Sequence, residues 1–244
     1  MRNEDLSVLS PLIMALDTTE LGEARRLAGE VREFVDIVKV GLQLFSREGT
    51  GAVKALKDDG FEVFLDIKMN DIPNTVATAC EGLCEYEPFM LTVHTTGGQE
   101  MMRAAGSSVR EACARSGLRR PLLIGVTVLT SMDFLALEKI GVNVPVEEQV
   151  IRLARLAVDS GMDGLVTSPL ETLPVRRAVG DGIVLVTPGV RLAPIGTDDQ
   201  KRVATPREAI GSGADFLVVG RPLYTAADPG AAAAEIIEEI STIG

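Results

Sequence analysis

The sequence predicts a single (β/α)8 barrel running through residues 1–244. Eight short apolar runs recur along the chain, amphipathic helical patterns fill the intervals between them, and 244 residues is an ordinary length for one such barrel. Alternating strands and helices would also suit a doubly wound open sheet, which stands as the alternative on pattern alone. Eight strands favour closure, the TIM-barrel architecture. No linker, low-complexity tract or composition break marks a second domain.

The runs lie at residues 12–16, 35–40, 62–67, 89–93, 122–128, 164–167, 183–187 and 215–219. Each is short and rich in Val, Ile and Leu, as strands buried on both faces of a parallel sheet must be. Between the first two, Leu21, Ala24, Leu27, Ala28 and Val31 keep the 3/4 spacing of a helix with one apolar face. Val150, Leu153, Ala154, Ala157 and Val158 do the same before the sixth run. Gly60, Gly161 and Gly213 stand at helix ends, just before Phe61, Met162 and Ala214 lead into the next strand. Glycine supplies the left-handed residue that closes a helix.

Composition narrows the function. Hydrophobic residues make up 46% and charged residues 24%, the balance of a folded globular chain. The formal net charge of −11, with no Trp and two Tyr, argues against nucleic acid as a partner. An anionic small ligand would need locally placed cations. Met1–Ser10 is polar and mixed in charge, unlike a secretory signal, and no run of about 18 apolar residues offers a membrane span. Cys80, Cys84 and Cys113 have no zinc-ligand spacing and read as small buried hydrophobes. The cytoplasm is the expected location.

In such barrels the active site is built at the C-terminal ends of the strands. Those ends carry Asp17, then Lys39-Val40-Gly41, then Asp66-Ile67-Lys68-Met69-Asn70-Asp71, then His94, then Thr130-Ser131. The seventh ends in Thr187-Pro188-Gly189-Val190-Arg191 and the eighth in Gly220-Arg221-Pro222. Asp66 and Lys68 are two apart, so on a strand both point into the barrel mouth, and Lys39 on the neighbouring strand can reach them. An ion-pair network that merely closes the barrel top is the bland explanation. Desolvation offsets most of what a buried pair gains, so function explains the alternation better.

The last strand ends in Gly-Arg, where these barrels commonly hold phosphate on backbone amides and a helix N-terminus. Gly220 lets the backbone approach, and the Arg221 guanidinium is a permanently charged fork for phosphate oxygens. Residues 192–205 are polar, with few apolar anchors, and suit a mobile lid as well as a plain surface loop.

Asp66-Ile67-Lys68-Met69-Asn70-Asp71-Ile72-Pro73-Asn74-Thr75 resembles the Asp-x-Lys-x-x-Asp-Ile-Pro-Asn-Thr signature of the monofunctional orotidine 5′-monophosphate decarboxylase family. Ala15-Leu16-Asp17, Val38-Lys39-Val40-Gly41, Val93-His94-Thr95-Thr96-Gly97-Gly98 and Leu129-Thr130-Ser131 match further family segments in order. So do Val186-Thr187-Pro188-Gly189-Val190-Arg191 and Val219-Gly220-Arg221-Pro222, and the matches extend from Leu12 to Tyr224. Met69-Asn70 departs from the apolar residue and His of many bacterial members.

The resemblance implies decarboxylation of orotidine 5′-monophosphate to UMP, the last step of de novo pyrimidine synthesis, with no cofactor and no metal. It implies that Lys68 donates the proton to carbon 6 of the pyrimidine, within a charged array of Asp66, Lys39 and Asp71. Lys39 would also reach the ribose, and Asp17 would bind its hydroxyls. Thr130 and Ser131 would contact the pyrimidine. Pro188, Arg191, Gln200, Gly220 and Arg221 would line the substrate site, the last four without Pro188 around the phosphate. His94 has a supporting role only. Asp71 would enter the site of a partner subunit, with Ile72 and Thr75 on the same edge, so the resemblance implies a homodimer with shared active sites.

The chemistry suits that array. Loss of carbon dioxide from carbon 6 leaves a carbanion in the ring plane that no adjacent carbonyl delocalises. The protein must then stabilise it electrostatically. A lysine ammonium aimed at carbon 6 does so and delivers its proton. Two alternatives remain: a magnesium-dependent barrel acting on 3-keto-hexulose or keto-gulonate 6-phosphates, which shares Asp-x-Lys-x-x-Asp, and a non-catalytic phosphate-ligand-binding barrel. The continuation Ile72-Pro73-Asn74-Thr75 and the presence of Lys68 favour the decarboxylase.

Overall fold

The computed structural model describes residues 6, 8–191 and 204–241. Eight parallel strands close into a barrel in chain order. They are β1 (Leu12–Ala15), β2 (Ile37–Gly41), β3 (Glu62–Met69), β4 (Met90–His94), β5 (Leu122–Val126), β6 (Gly164–Val166), β7 (Val184–Pro188) and β8 (Phe216–Val219). Leu12, Ile13 and Met14 of β1 lie opposite Leu217, Val218 and Val219 of β8, which completes the ring and rules out the open sheet. Each strand begins and ends within two residues of its apolar run.

Side chains alternate across a strand, and here both sides are buried. Ile13, Ile37, Phe64, Met90, Ile124 and Val218 form one cluster that fills the barrel. Their neighbours Leu12, Val38, Leu65, Leu91, Leu123 and Leu217 belong to a larger cluster shared with the surrounding helices. That double burial is why the strands read as unbroken apolar runs. Each large side chain so buried contributes about 1.5–3 kcal/mol. At the N-terminal end of the barrel the rings of Phe89 and Phe216 meet edge to face, 6.4 Å apart. β6 passes so close to its neighbours that a Cβ on Gly164 would sit 2.6 Å from the Val184 carbonyl oxygen.

The helices present the faces their spacing predicts. Ala24, Leu27 and Ala28 are buried on Leu21–Glu30, as are Val150, Leu153, Ala154 and Ala157 on Val146–Asp159. Gly60, Gly161 and Gly213 all have positive φ, the left-handed closure expected of them. Cys80, Cys84 and Cys113 are free and buried, and burial pushes the thiols of Cys80 and Cys84 up to about 12. They are packing residues rather than nucleophiles. Among the described residues no helix is long and apolar enough to cross a membrane.

Candidate active site

The interior register of the barrel decides which strand-end residues can meet. Ile13 and Ala15 fill the interior, and two residues further stands Asp17. Ile37 leads in the same way to Lys39, Phe64 to Asp66, and Met90 to Thr92. Ala15 lies opposite Lys39, and Gly41 opposite Asp66, so β1, β2 and β3 deliver their polar residues side by side. The apolar filling of the barrel thus ends in a charged upper layer.

Within that layer the charges alternate. Lys39 Nζ donates to Asp17 Oδ1 at 3.3 Å and lies 3.7 Å from Asp66 Oδ2. Lys68 Nζ donates to the same Asp66 oxygen at 2.7 Å. The second oxygen, Asp66 Oδ1, accepts from the Thr92 hydroxyl at 3.1 Å. Asp66 and Lys39 are 7% and 9% exposed, so this network is largely out of water. Burial alone would raise the Asp66 carboxyl. The charges of Lys39 and Lys68, with hydrogen bonds from Lys68 and Thr92, outweigh burial and hold it below the usual carboxylate range. Asp66 is therefore an anion at neutral pH.

Asp66 and Lys68 both turn toward the mouth, as expected, but not from a regular strand. Lys68 has φ +52, and the β3–β4 ladder shifts register between Leu65 and Met69. The Lys68 backbone N–H donates to Thr92 Oγ1 at 2.9 Å. Two glycines keep the neighbourhood open. A Cβ on Gly220 would stand 3.0 Å from Asp17 Oδ2, and one on Gly41 3.0 Å from Lys39 Nζ.

The array forms one wall of a cavity of about 240 Å³ at the C-terminal ends of the strands. Val126, at the end of β5, lines it with Val128 and Thr130 of the following loop. So do Thr167 and Ser168 after β6, Pro188 at the end of β7 with Arg191 beyond it, and Gly220 and Arg221 after β8. Its lining carries four cationic side chains (Lys39, Lys68, Arg191, Arg221) and two carboxylates (Asp17, Asp66). On a protein of net charge −11 this is a local reversal of sign, suited to an anionic ligand. The lysines sit on the β2–β3 side and the arginines on the β7–β8 side, so an elongated ligand could engage both ends.

The other expected site residues that the structure describes fall outside this cavity. Ser131 is exposed and only its neighbour Thr130 lines the wall. Asp71, Ile72 and Thr75 are exposed beyond the end of β3. Asp71 Oδ1 accepts the Ile72 N–H at 2.6 Å, a local contact in the loop that leads into helix Pro73–Leu83. Gln200 and residues 192–203 of the expected lid lie outside the described residues. His94 ends β4 half-buried, its Nδ1 without a hydrogen-bond partner among the described residues. Burial, and then the nearby charge of Lys68, push its pKa down, so it is neutral at pH 7.

Thr92, Thr167 and Ser168 are the polar lining or supporting residues that sequence reasoning did not single out. Thr92 had a readable signal: it shares the inward parity of Met90 and His94 and breaks an otherwise apolar run. Threonine in a strand is common enough that the signal passes for packing.

Comparison with known proteins gives a consistent result. A family model described as Orotidine 5′-phosphate decarboxylase / HUMPS family matches residues 10–236. A relative from Pseudomonas putida (strain GB-1), named Orotidine 5′-phosphate decarboxylase, is 48% identical over 231 residues, covering 95% of this chain and 97% of its own. One of the same name from Moorella thermoacetica is 45% identical over 233 residues, covering 95% and 92%. The crystal structure of Orotidine 5′-phosphate decarboxylase from Lactobacillus acidophilus superposes with a TM-score of 0.83 at 35% identity, covering 95% of this chain and 99% of that one.

Proposed function

The chain belongs to the orotidine 5′-phosphate decarboxylase / HUMPS family, and we propose that it decarboxylates orotidine 5′-monophosphate to UMP in pyrimidine biosynthesis in the cytoplasm. The observation that carries this reading is the alternation Asp17–Lys39–Asp66–Lys68 at one end of a cavity whose other side holds Arg191 and Arg221. The pyrimidine sits against the lysines and the phosphate against the arginines and Gly220. Lys39 and Asp17 face the ribose, and Thr130 and Pro188 border the base. Gln200 joins the phosphate contacts.

The array supplies what the reaction needs. As carbon dioxide leaves, the electron pair stays on carbon 6, in the ring plane. The Lys68 ammonium stabilises it as it forms and then gives carbon 6 a proton. Asp66 holds Lys68 in place through the 2.7 Å hydrogen bond, and Lys39 balances the charge of Asp66. Because these groups are fixed before the substrate arrives, little reorganisation is needed at the moment of reaction.

Asp71 completes the array of a second subunit in a homodimer with shared sites. What supports this is its placement: exposed, off the end of β3 and outside its own cavity, beside an Ile72 that is 66% exposed. A large apolar side chain left that open at an active-site edge suits an interface. Thr75, on the first turn of the following helix, shares this edge.

The rival reading is a magnesium-dependent barrel acting on 3-keto-hexulose or keto-gulonate 6-phosphates. A specific observation disfavours it. Asp66, the carboxylate best placed in the cavity, is already engaged by two lysines and a threonine, and would have to shed them to ligate a cation. Among the described residues no group of three or more His, Cys, Asp or Glu could hold a metal ion. The test is an absorbance assay with orotidine 5′-monophosphate in EDTA. Full turnover is expected. Activity that disappears in EDTA and returns with magnesium, or that appears only with a keto-sugar phosphate, would overturn the reading.

Arg221→Ala is expected to raise KM by about 10- to 100-fold, because a charge-assisted hydrogen bond to phosphate is lost. Its effect on kcat should be smaller. UMP should lose affinity for this variant while uridine, which lacks the phosphate, should not. Equal losses for UMP and uridine would place Arg221 away from the phosphate.

A further inference from the structure

Lys68 must be held as well as present, and the structure shows what holds it. Its backbone adopts φ +52, a conformation that L-residues other than glycine seldom take up. In a regular ladder the residues of β3 face β2 and β4 in turn, as the Glu62 N–H on the Asp36 carbonyl and the Phe89 N–H on the Val63 carbonyl show. The Lys68 N–H would then face β2, which has already ended at Gly41. The register shift between Leu65 and Met69 breaks the ladder to β4 locally. The N–H is instead taken by the side chain of Thr92, whose Oγ1 accepts it at 2.9 Å. The same hydroxyl spends its single proton on Asp66 Oδ1 at 3.1 Å. Thr92 is 0% exposed, so no water competes for either bond.

From this double engagement we infer that Thr92 is a positioning residue: its one hydroxyl fixes both the backbone of the proton donor and the carboxylate that orients it. The inference rests on the reading of Lys68 as that donor. The polarity of the arrangement is fully determined. A backbone N–H can only donate and the Asp66 carboxylate can only accept, so the group between them must do both. A hydroxyl can, and the branched carbon of threonine fixes its rotamer in the packed interior. With the hydroxyl gone, the N–H would have no partner in its left-handed turn, and one Asp66 oxygen would lose its donor. Lys68 Nζ would then be tethered to a carboxylate held through one oxygen only, by the two lysines.

Thr92→Val keeps the shape and removes the hydroxyl, whereas Thr92→Ser keeps the hydroxyl and trims a methyl. Thr92→Val is expected to lower kcat by about 10- to 100-fold. UMP affinity should stay within about threefold, since the loss falls on the reacting end rather than on uniform binding. Thr92→Ser should recover kcat to within about threefold of wild type. Amide hydrogen exchange gives a readout independent of turnover: the Lys68 amide should be protected in wild type and Thr92→Ser, and exchange at least about tenfold faster in Thr92→Val. Wild-type kcat in Thr92→Val, equal impairment of Thr92→Ser, or unchanged protection of the Lys68 amide would each overturn the inference. Full turnover in a parallel Lys68→Ala variant would instead overturn the reading of Lys68, and leave the exchange result to judge Thr92 as its backbone anchor.

Discussion

Lys68→Ala is expected to lower the rate of orotidine 5′-monophosphate decarboxylation by at least about 10⁴-fold. Two separate contributions disappear together. One is the proton delivered to carbon 6, and the other is the positive charge that stabilises the electron pair left there. The fold should survive, because Asp66 is not stranded. Lys39 still lies 3.7 Å from it, and Thr92 still donates at 3.1 Å. Stripping every partner from a buried charge would cost about 3–5 kcal/mol, but here only one of three contacts goes. Lys68 is also the more open partner, with 28% of its side chain exposed against 10% for Asp66. UMP should still bind, since the arginines and Gly220 are untouched. A cooperatively folded Lys68→Ala variant that turns over within tenfold of wild type (about 1.4 kcal/mol in the barrier) would remove Lys68 from the chemistry.

Asp71→Ala is expected to cost at least about 10²-fold in kcat, the scale of losing one preorganised electrostatic group from an active site. Among the described residues of its own chain, Asp71 makes no contact that would explain such a loss. It is exposed and caps the Ile72 N–H at 2.6 Å. Asp71→Asn separates the two roles. Its amide oxygen can still accept from Ile72, so a purely local role would leave Asn close to wild type. If the negative charge works in a neighbouring site, Asn should be impaired about as far as Ala. Near-normal activity in Asp71→Asn would reduce Asp71 to a loop residue.

Much of the fold was legible because double burial writes an unmistakable pattern. Runs such as 12–16 and 215–219 have no polar face to confuse them, and positive-φ glycines such as Gly161 marked where each helix gave way to a strand. The charged layer was legible for a related reason. Charges at the ends of apolar strands stand out, and parity put Asp66 and Lys68 on the inward side, within reach of Lys39. Backbone irregularity was not legible. Nothing in Asp66-Ile67-Lys68-Met69 announces that Lys68 leaves the strand conformation, because the register shift depends on how β4 lies against β3. Thr92 followed from that shift and was hidden with it. The placement of Ser131 outside the cavity was not legible either, because it depends on the path of the loop after β5, where Thr130 lines the wall and Ser131 does not. Asp71, Ile72 and Thr75 could be placed by resemblance only, since their proposed contacts belong to a second chain.

The most direct measurement of the central claim, that Lys68 of one chain and Asp71 of another act on one substrate, is activity recovered from two dead variants. Lys68→Ala and Asp71→Ala are unfolded together in equal amounts and refolded, with each alone as a control, and decarboxylation of orotidine 5′-monophosphate is followed in EDTA. In a mixed dimer one site carries both lesions. The other takes Lys68 from the Asp71→Ala chain and Asp71 from the Lys68→Ala chain, and is whole. Random pairing makes half of the dimers mixed, each with one intact site of two, so about a quarter of wild-type activity should return. No recovery, with mixed dimers confirmed by mass, would contradict the account, because Asp71 would then act within its own chain or not at all.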